Sequence, residues 1–180
     1  MMPFGQAGPD RQINRVHSPL LARSLPALSV ILCSIAQTLP AIASAPVIPP
    51  LGFMALLAWR QLRPGLLPVW AGLPLGLVDD LYSGQPMGSA MLLWSLTMIV
   101  LDVLEQRFPW RSYVLDWGVA AAFITVYLLL AGIIAAPVRT MPALHLVAPQ
   151  LFLAVLLFPL VERFIALCDR LRLRRFRSVA

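Results

Sequence analysis

Gly76-Leu77-Val78-Asp79-Asp80-Leu81-Tyr82-Ser83-Gly84-Gln85-Pro86-Met87-Gly88 separates two long apolar runs. No other stretch of the chain gathers carboxylates, glycines, a hydroxyl and a proline in so hydrophobic a setting. Charge at membrane depth is costly, and Ser-Gly-x-Pro is turn chemistry, so the stretch reads as a helix end that breaks at a membrane face. The rest of the chain is placed relative to that break.

Moving outward, 59% of the 180 residues are apolar and 12% charged, with a mean hydropathy of +0.81. A soluble domain is about half apolar and about a quarter charged. The chain is therefore an all-α polytopic membrane protein. Net charge is +6, and every basic residue is an arginine. An arginine excess can signal nucleic acid, but these arginines lie in short segments between apolar runs, where positive-inside topology explains them, so no nucleic-acid partner is expected. Cys33 and Cys168 lie in separate apolar runs without ligand spacing and read as small buried hydrophobes.

Residues 1–24 are expected to form a mobile cytoplasmic tail. A first apolar run follows, from Leu25 to about Ala45. Its Ala43-Ser44-Ala45 end resembles a signal-peptide cleavage site, but the run is longer than an ordinary signal core and Pro46 follows directly, so the helix is expected to be retained. Leu51 to Trp59 is short for a bilayer and must either thin it or bury its ends in protein. Leu66 to Leu81 contains Pro74, which predicts a kink. Met87 to Leu104, Val114 to Ala136 and Leu144 to Leu167 complete six spans. The membrane domain thus covers residues 25–168, and residues 169–180 form a basic tail with Arg170, Arg172, Arg174, Arg175 and Arg177.

With both termini cytoplasmic, the inner segments hold three, two, two and six arginines, which is thirteen of the fourteen. Only Arg139 falls outside. The asymmetry supports six crossings, with the Gly84 turn on the outer face. The last helix is expected to continue along the headgroups, where its arginines attract anionic lipid.

In this topology Asp79 and Asp80 sit at a helix C-terminus, against the negative end of its dipole. Three readings stay open. Asp80 can accept hydrogen bonds from Ser83 and the turn amides, Asp79 or Asp80 can pair with Arg139, or the pair can hold a ligand or proton. If Asp80 is purely an acceptor, Asp80→Asn should largely preserve its role. The Gly84 position should tolerate alanine less well than Gly72.

At the opposite face, Asp102, Glu105 and Asp116 are expected to face Arg107, Arg111 and Arg163 in solvated pairs, with a docking surface for a cytoplasmic partner as the alternative. Enzyme chemistry finds no support. Adjacent aspartates diverge by about 100° on a helix and cannot form a protease dyad. The histidines His17 and His145 are isolated, and no metal, cofactor, phosphate-loop or nucleophile pattern occurs.

With the motif placed on the outer end of a third helix, the chain resembles the rod shape-determining protein MreD family. Gly76-Leu77, Asp80, Ser83-Gly84, Pro86 and Gly88 match the pattern Gly-Leu-x-x-Asp-x-x-Ser-Gly-x-Pro-Leu-Gly, with Met87 in place of the usual leucine. The resemblance implies a six-helix fold similar to the substrate-binding subunits of energy-coupling-factor transporters. It also implies a non-catalytic role in the bacterial inner membrane, beside an MreC-like bitopic protein, MreB, a RodA-type glycosyltransferase and a penicillin-binding transpeptidase. A small-molecule-binding transporter subunit is the alternative.

Overall fold

The computed structural model describes residues 19–38, 48–107, 112–135 and 144–172. Its regular elements there are six α-helices and one 3₁₀ turn: α1 (Pro19–Ala36), α2 (Leu51–Leu62), the turn Val69–Ala71, α3 (Gly72–Ser83), α4 (Ser89–Arg107), α5 (Tyr113–Ala135) and α6 (Leu144–Arg172). The N-terminal residues before Pro19, the Ala43-Ser44-Ala45 site, Arg111, Arg139 and the arginines beyond Arg172 lie outside the described residues. The first helix begins six residues before Leu25 and stops at Ala36, where Gln37 and Thr38 turn back onto the Ser34 and Ile35 carbonyls.

The 12-residue α2 is the centre of the bundle. Pro49 and Pro50 restrict the backbone before it, and Pro64 pushes Arg63 out of helical geometry (φ −138°, ψ 82°), closing its other end. Between those stops every residue from Gly52 to Gln61 is buried. At about 1.5 Å per residue the helix is only about 18 Å long, which on a lipid-facing helix would leave a mismatch. Helices α1, α5 and α6 pack around α2, so its length need not match a bilayer. Of the two outcomes expected for this short run, the structure shows burial in protein.

Phe53 ties this core together. Its ring stacks on Tyr127 of α5 at 4.2 Å and meets Trp94 of α4 at 6.0 Å. Trp59 donates from Nε1 to Ser29 Oγ of α1 at 2.7 Å. Buried indole nitrogens need such a partner, and this one fixes the rotation of α2 against α1.

Helices α3 and α4 form the most extensive pairing of the bundle. A Cβ built on Gly76 would lie 2.6 Å from Met91 Cα and 2.7 Å from the Ala90 carbonyl oxygen, so the two backbones touch where glycine leaves room. Gly72, one turn earlier, faces the Trp94 carbonyl and the Ser95 backbone in the same way. This reverses the expectation that Gly72 tolerates a side chain: its missing Cβ is filled by a neighbouring helix. The kink expected at Pro74 is also absent, because α3 starts at Gly72 and Pro74 falls in the first turn, where a missing N–H costs little.

Helix directions alternate. The ends of α1 and α3 meet through Gln37 and Asp79, while Gln150 near the start of α6 reaches Ile48 just before α2. At the other end of the bundle the last turns of α2, α4 and α6 converge through Arg60, Asp102, Arg63 and Asp169. The two ends are called here the Gly84 end and the Arg60 end. Ser89–Arg107, Tyr113–Ala135 and Val147–Arg172 are long and apolar enough to cross a membrane. Exposed Leu92, Leu96, Ile99 and Val103 of α4 recur at three- and four-residue spacing, a stripe suited to hydrocarbon.

Candidate functional site

The Gly84 end is built around Asp80, which is 3% exposed. Its Oδ2 accepts from the backbone N–H of Gly88 at 2.9 Å and of Met91 at 3.2 Å. Its Oδ1 accepts from the N–H of Ala90 at 2.8 Å and from the Ser89 hydroxyl at 3.1 Å. Gly88 stands just before α4 and the other donors in its first turn, whose opening N–H groups have no partner within the helix. Asp80 is thus a capping group supplied by the preceding helix. The negative pole of α3, unfavourable for a carboxylate, is offset by the positive pole of α4 directly against it.

Of the three readings open for Asp80, the acceptor one describes these bonds: the Gly88 amide of the turn donates, joined by donors of α4. Ser83 is not one of them: its Oγ is buried without a hydrogen-bond partner. Gly84 closes α3 at φ +69°, a left-handed conformation that reverses the chain and lets the next helix start beside Asp80. Pro86 then accepts at its carbonyl from Ser89 N–H at 3.1 Å. Of the motif residues, Gly76, Asp80, Ser83, Gly84, Pro86 and Gly88 converge on this corner, while Leu77 faces outward.

Asp79 is 2% exposed, and its environment is different. Gln37 Nε2 donates to its Oδ1 at 3.4 Å, and the Ser34 hydroxyl lies beside it, in the space that the absent Cβ of Gly52 leaves for Ser34 Oγ and Asp79 Oδ1. Next to this carboxylate is a cavity of about 140 Å³ lined by Gln37, Tyr82, Ser83, Gln85, Tyr127 and Gln150 among others.

Sequence reasoning missed the principal group at the Arg60 end. The arginine count places Arg60 in a short inner segment between apolar runs, but its side chain is 2% exposed. It contacts Asp102 Oδ1 directly, lies 3.2 Å from Glu105 Oε2 and donates from Nη1 to the Leu67 carbonyl at 3.1 Å. Asp102 and Glu105 therefore both meet a buried arginine across the bundle, a partner that the expected surface pairs with Arg107, Arg111 and Arg163 did not include; Arg111 itself lies outside the described residues. Two signals in the sequence pointed to this. Arg60 follows a fully apolar turn on a helix too short to expose it, and Asp102 and Glu105 lie three apart on one helical face.

A second network adjoins the first. Asp169 of α6 holds Arg63 at 3.0 Å and Arg172 at 3.0 Å, and the Arg172 guanidinium lies 6.0 Å from the Trp59 ring centroid. Arg172 therefore turns into the bundle and is not offered to lipid, contrary to expectation. Arg170 is exposed. Arg174, Arg175 and Arg177, with Arg139, are outside the described residues. Among the described residues no three His, Cys, Asp or Glu side chains group as a metal site would require.

An apolar groove of about 850 Å³ runs between α1 and α6, lined by Leu28, Leu32, Leu160, Phe164 and Leu167 with both cysteines in its wall.

A helical bundle with hydrocarbon-compatible helices on its outside and ionisable groups bonded at its two ends defines a polytopic membrane protein. A family model described as rod shape-determining protein MreD matches residues 20–169, and the chain belongs to that family. No curated protein and no solved structure matches it.

Proposed function

We propose that the chain is a non-catalytic inner-membrane scaffold of the bacterial cell-elongation complex. It would join an MreC-like bitopic protein to the RodA-type glycosyltransferase and penicillin-binding transpeptidase that build peptidoglycan, in register with MreB. Membership of the rod shape-determining family is the observation that carries this reading. The chemistry of the bundle supports it. Asp80 is occupied by backbone amides, Arg60 by Asp102, Glu105 and a carbonyl, and Asp169 by two arginines. A catalytic group must be able to touch a substrate, whereas these groups are spent on joining helices.

The same reading has six crossings, both termini cytoplasmic and the Gly84 end periplasmic, with a fold like that of the energy-coupling-factor substrate-binding subunits. The arginine asymmetry and the alternating helix directions support it, and the enclosure of α2 removes the objection that it is too short. Crosslinking and mass spectrometry on native membranes test the scaffold: crosslinks to a bitopic partner and to the synthases are expected, and a chain recovered without either would overturn it. Reporter fusions after Leu62, Gly84 and Pro142 test the topology, where activity of the Gly84 fusion on the cytoplasmic side is the contrary result.

A further inference from the structure

All acidic side chains of the chain except Asp10 lie among the described residues, and two arginines of α6 find no counter-charge among them. Asp79 and Asp80 are at the Gly84 end, Asp102 and Glu105 hold Arg60, and Asp169 holds Arg63 and Arg172. Glu162 precedes Arg163 directly, but it lies near Asp116 of α5, about 100° round the helix from Arg163. Among the described residues no carboxylate forms an ion pair with Arg163 or Arg170, and both arginines are exposed. The two are seven residues apart, so they stand on one face of α6, separated by about 10 Å along its axis. Arg163 lies six residues, about 9 Å, from Asp169 in the direction of the Gly84 end. A charge that deep and facing outward is costly in hydrocarbon, and its stem leans back toward Arg170 and the interface. The same face beyond it is apolar: Leu160, Leu156 and Phe152 are exposed in succession. The groove between α1 and α6 runs alongside, and Arg163 is its only charged lining residue among the described residues.

We propose that this face of α6 and the adjoining groove form a binding site for an anionic phospholipid, its phosphate held between Arg163 and Arg170 and an acyl chain laid in the groove. Charge complementarity selects the occupant. Cations at one end and hydrocarbon along the rest match an amphiphile with a single anionic head, and basic pockets between membrane helices bind such heads. A helix of a partner protein would have to carry its own carboxylate to the depth of Arg163, at the cost of taking it out of water. Free phosphate has no chain to fill apolar walls. The site goes beyond the scaffolding role and does not depend on it.

The test uses the purified full-length chain in detergent, with bound lipid counted by native mass spectrometry while phosphatidylglycerol competes with phosphatidylcholine. Preferential retention of one phosphatidylglycerol is expected. Arg163→Gln and Arg170→Gln should each lower its apparent affinity about fivefold, the equivalent of about 1 kcal/mol for an arginine near an anionic head. Arg107→Gln removes an exposed arginine of α4 away from the groove and should leave the affinity unchanged. Cys33 and Cys168 are the chain's only cysteines, and both line the groove. Their reaction with a neutral maleimide should therefore slow saturably as phosphatidylglycerol is added, whereas glycerol 3-phosphate, a phosphate head without chains, should not slow it. Equal retention of the two lipids overturns the proposal. So does protection by glycerol 3-phosphate, or a loss in Arg107→Gln as large as in the α6 variants, which would reflect net charge alone. In native membranes a photo-reactive amino acid in place of Leu167 should capture phospholipid; capture of a polypeptide instead assigns the face to a partner helix and overturns the lipid site.

Discussion

Carboxylates occupy both ends of the bundle, but their counter-groups differ in kind. At the Arg60 end Asp102, Glu105 and Asp169 meet guanidinium groups. At the Gly84 end Asp80 meets, among the described residues, only backbone amides and a hydroxyl. In the proposed topology the difference follows from how arginine orients a membrane chain. Cations at the Gly84 end would oppose the asymmetry that places thirteen arginines in the other set of segments, so the carboxylate there is satisfied by a helix terminus instead. One end is stabilised by side chains reaching across the bundle, and the other by where a helix happens to begin.

The largest effect is expected from removing the buried cation. Arg60→Met takes the buried guanidinium away from two carboxylates and the Leu67 carbonyl and should cost about 3–5 kcal/mol, visible as loss of monodisperse protein in detergent. Arg60→Lys should recover only part of this, because one ammonium cannot reproduce the forked contact. Full stability of the methionine variant would mean that the Arg60 end does not depend on charge.

At the Gly84 end the backbone fit comes next. Gly76→Ala places a methyl against α4 backbone that cannot move aside and should cost about 2–3 kcal/mol of thermal stability. Gly84→Ala meets open space and suffers only from its left-handed φ, about 1 kcal/mol, so the order of the two in a melting experiment is a direct check.

The capping carboxylate should give a graded result. Because both Asp80 oxygens accept backbone N–H groups, Asp80→Asn must turn an NH₂ toward donors. The earlier expectation that asparagine would largely substitute is therefore revised. Asp80→Ala should cost about 2 kcal/mol and Asp80→Asn about 1 kcal/mol. Cell-shape complementation at matched expression should follow the same order, and equal loss in the two variants would favour a role for the charge itself.

The smallest effect is expected at Arg63, whose side chain is 49% exposed although its partner Asp169 is buried. Arg63→Gln should cost less than about 1 kcal/mol and the cost should vanish in high salt, in contrast to Arg60 three residues earlier.

The helical class, the positions of α4 to α6 and the turn at Gly84 were legible because hydropathy and turn chemistry are local. Of the three readings left open for Asp80, the acceptor reading named the turn amides, of which Gly88 donates, but it also named Ser83 and not the first turn of α4, since a cap offered by one helix to the next depends on a reversal whose geometry the residue types only suggest. The pairing of Arg60 with Asp102 spans 42 residues, and no local pattern specifies such a partner. Gly72 and Gly76 were within reach: glycines four apart mark a close helix crossing, and they were read as part of a motif or as tolerant positions. Arg172 was misread because it was grouped with its basic neighbours, while Asp169 three residues before it was the better guide.

The enclosure of α2 also sets an order of events during synthesis. Arg60 emerges 42 residues ahead of Asp102, and at about 5–20 residues per second it waits some seconds for its counter-ions. Until α4 arrives, a 12-residue segment ending in a charge has α1 to pack on but neither the length to rest across the bilayer nor a counter-ion to enter it with. Helix α2 is thus the first of the inner elements to be made and among the last to settle. A nascent chain halted before residue 102 should hold it at the membrane surface, where a site-specific water-soluble label can reach it.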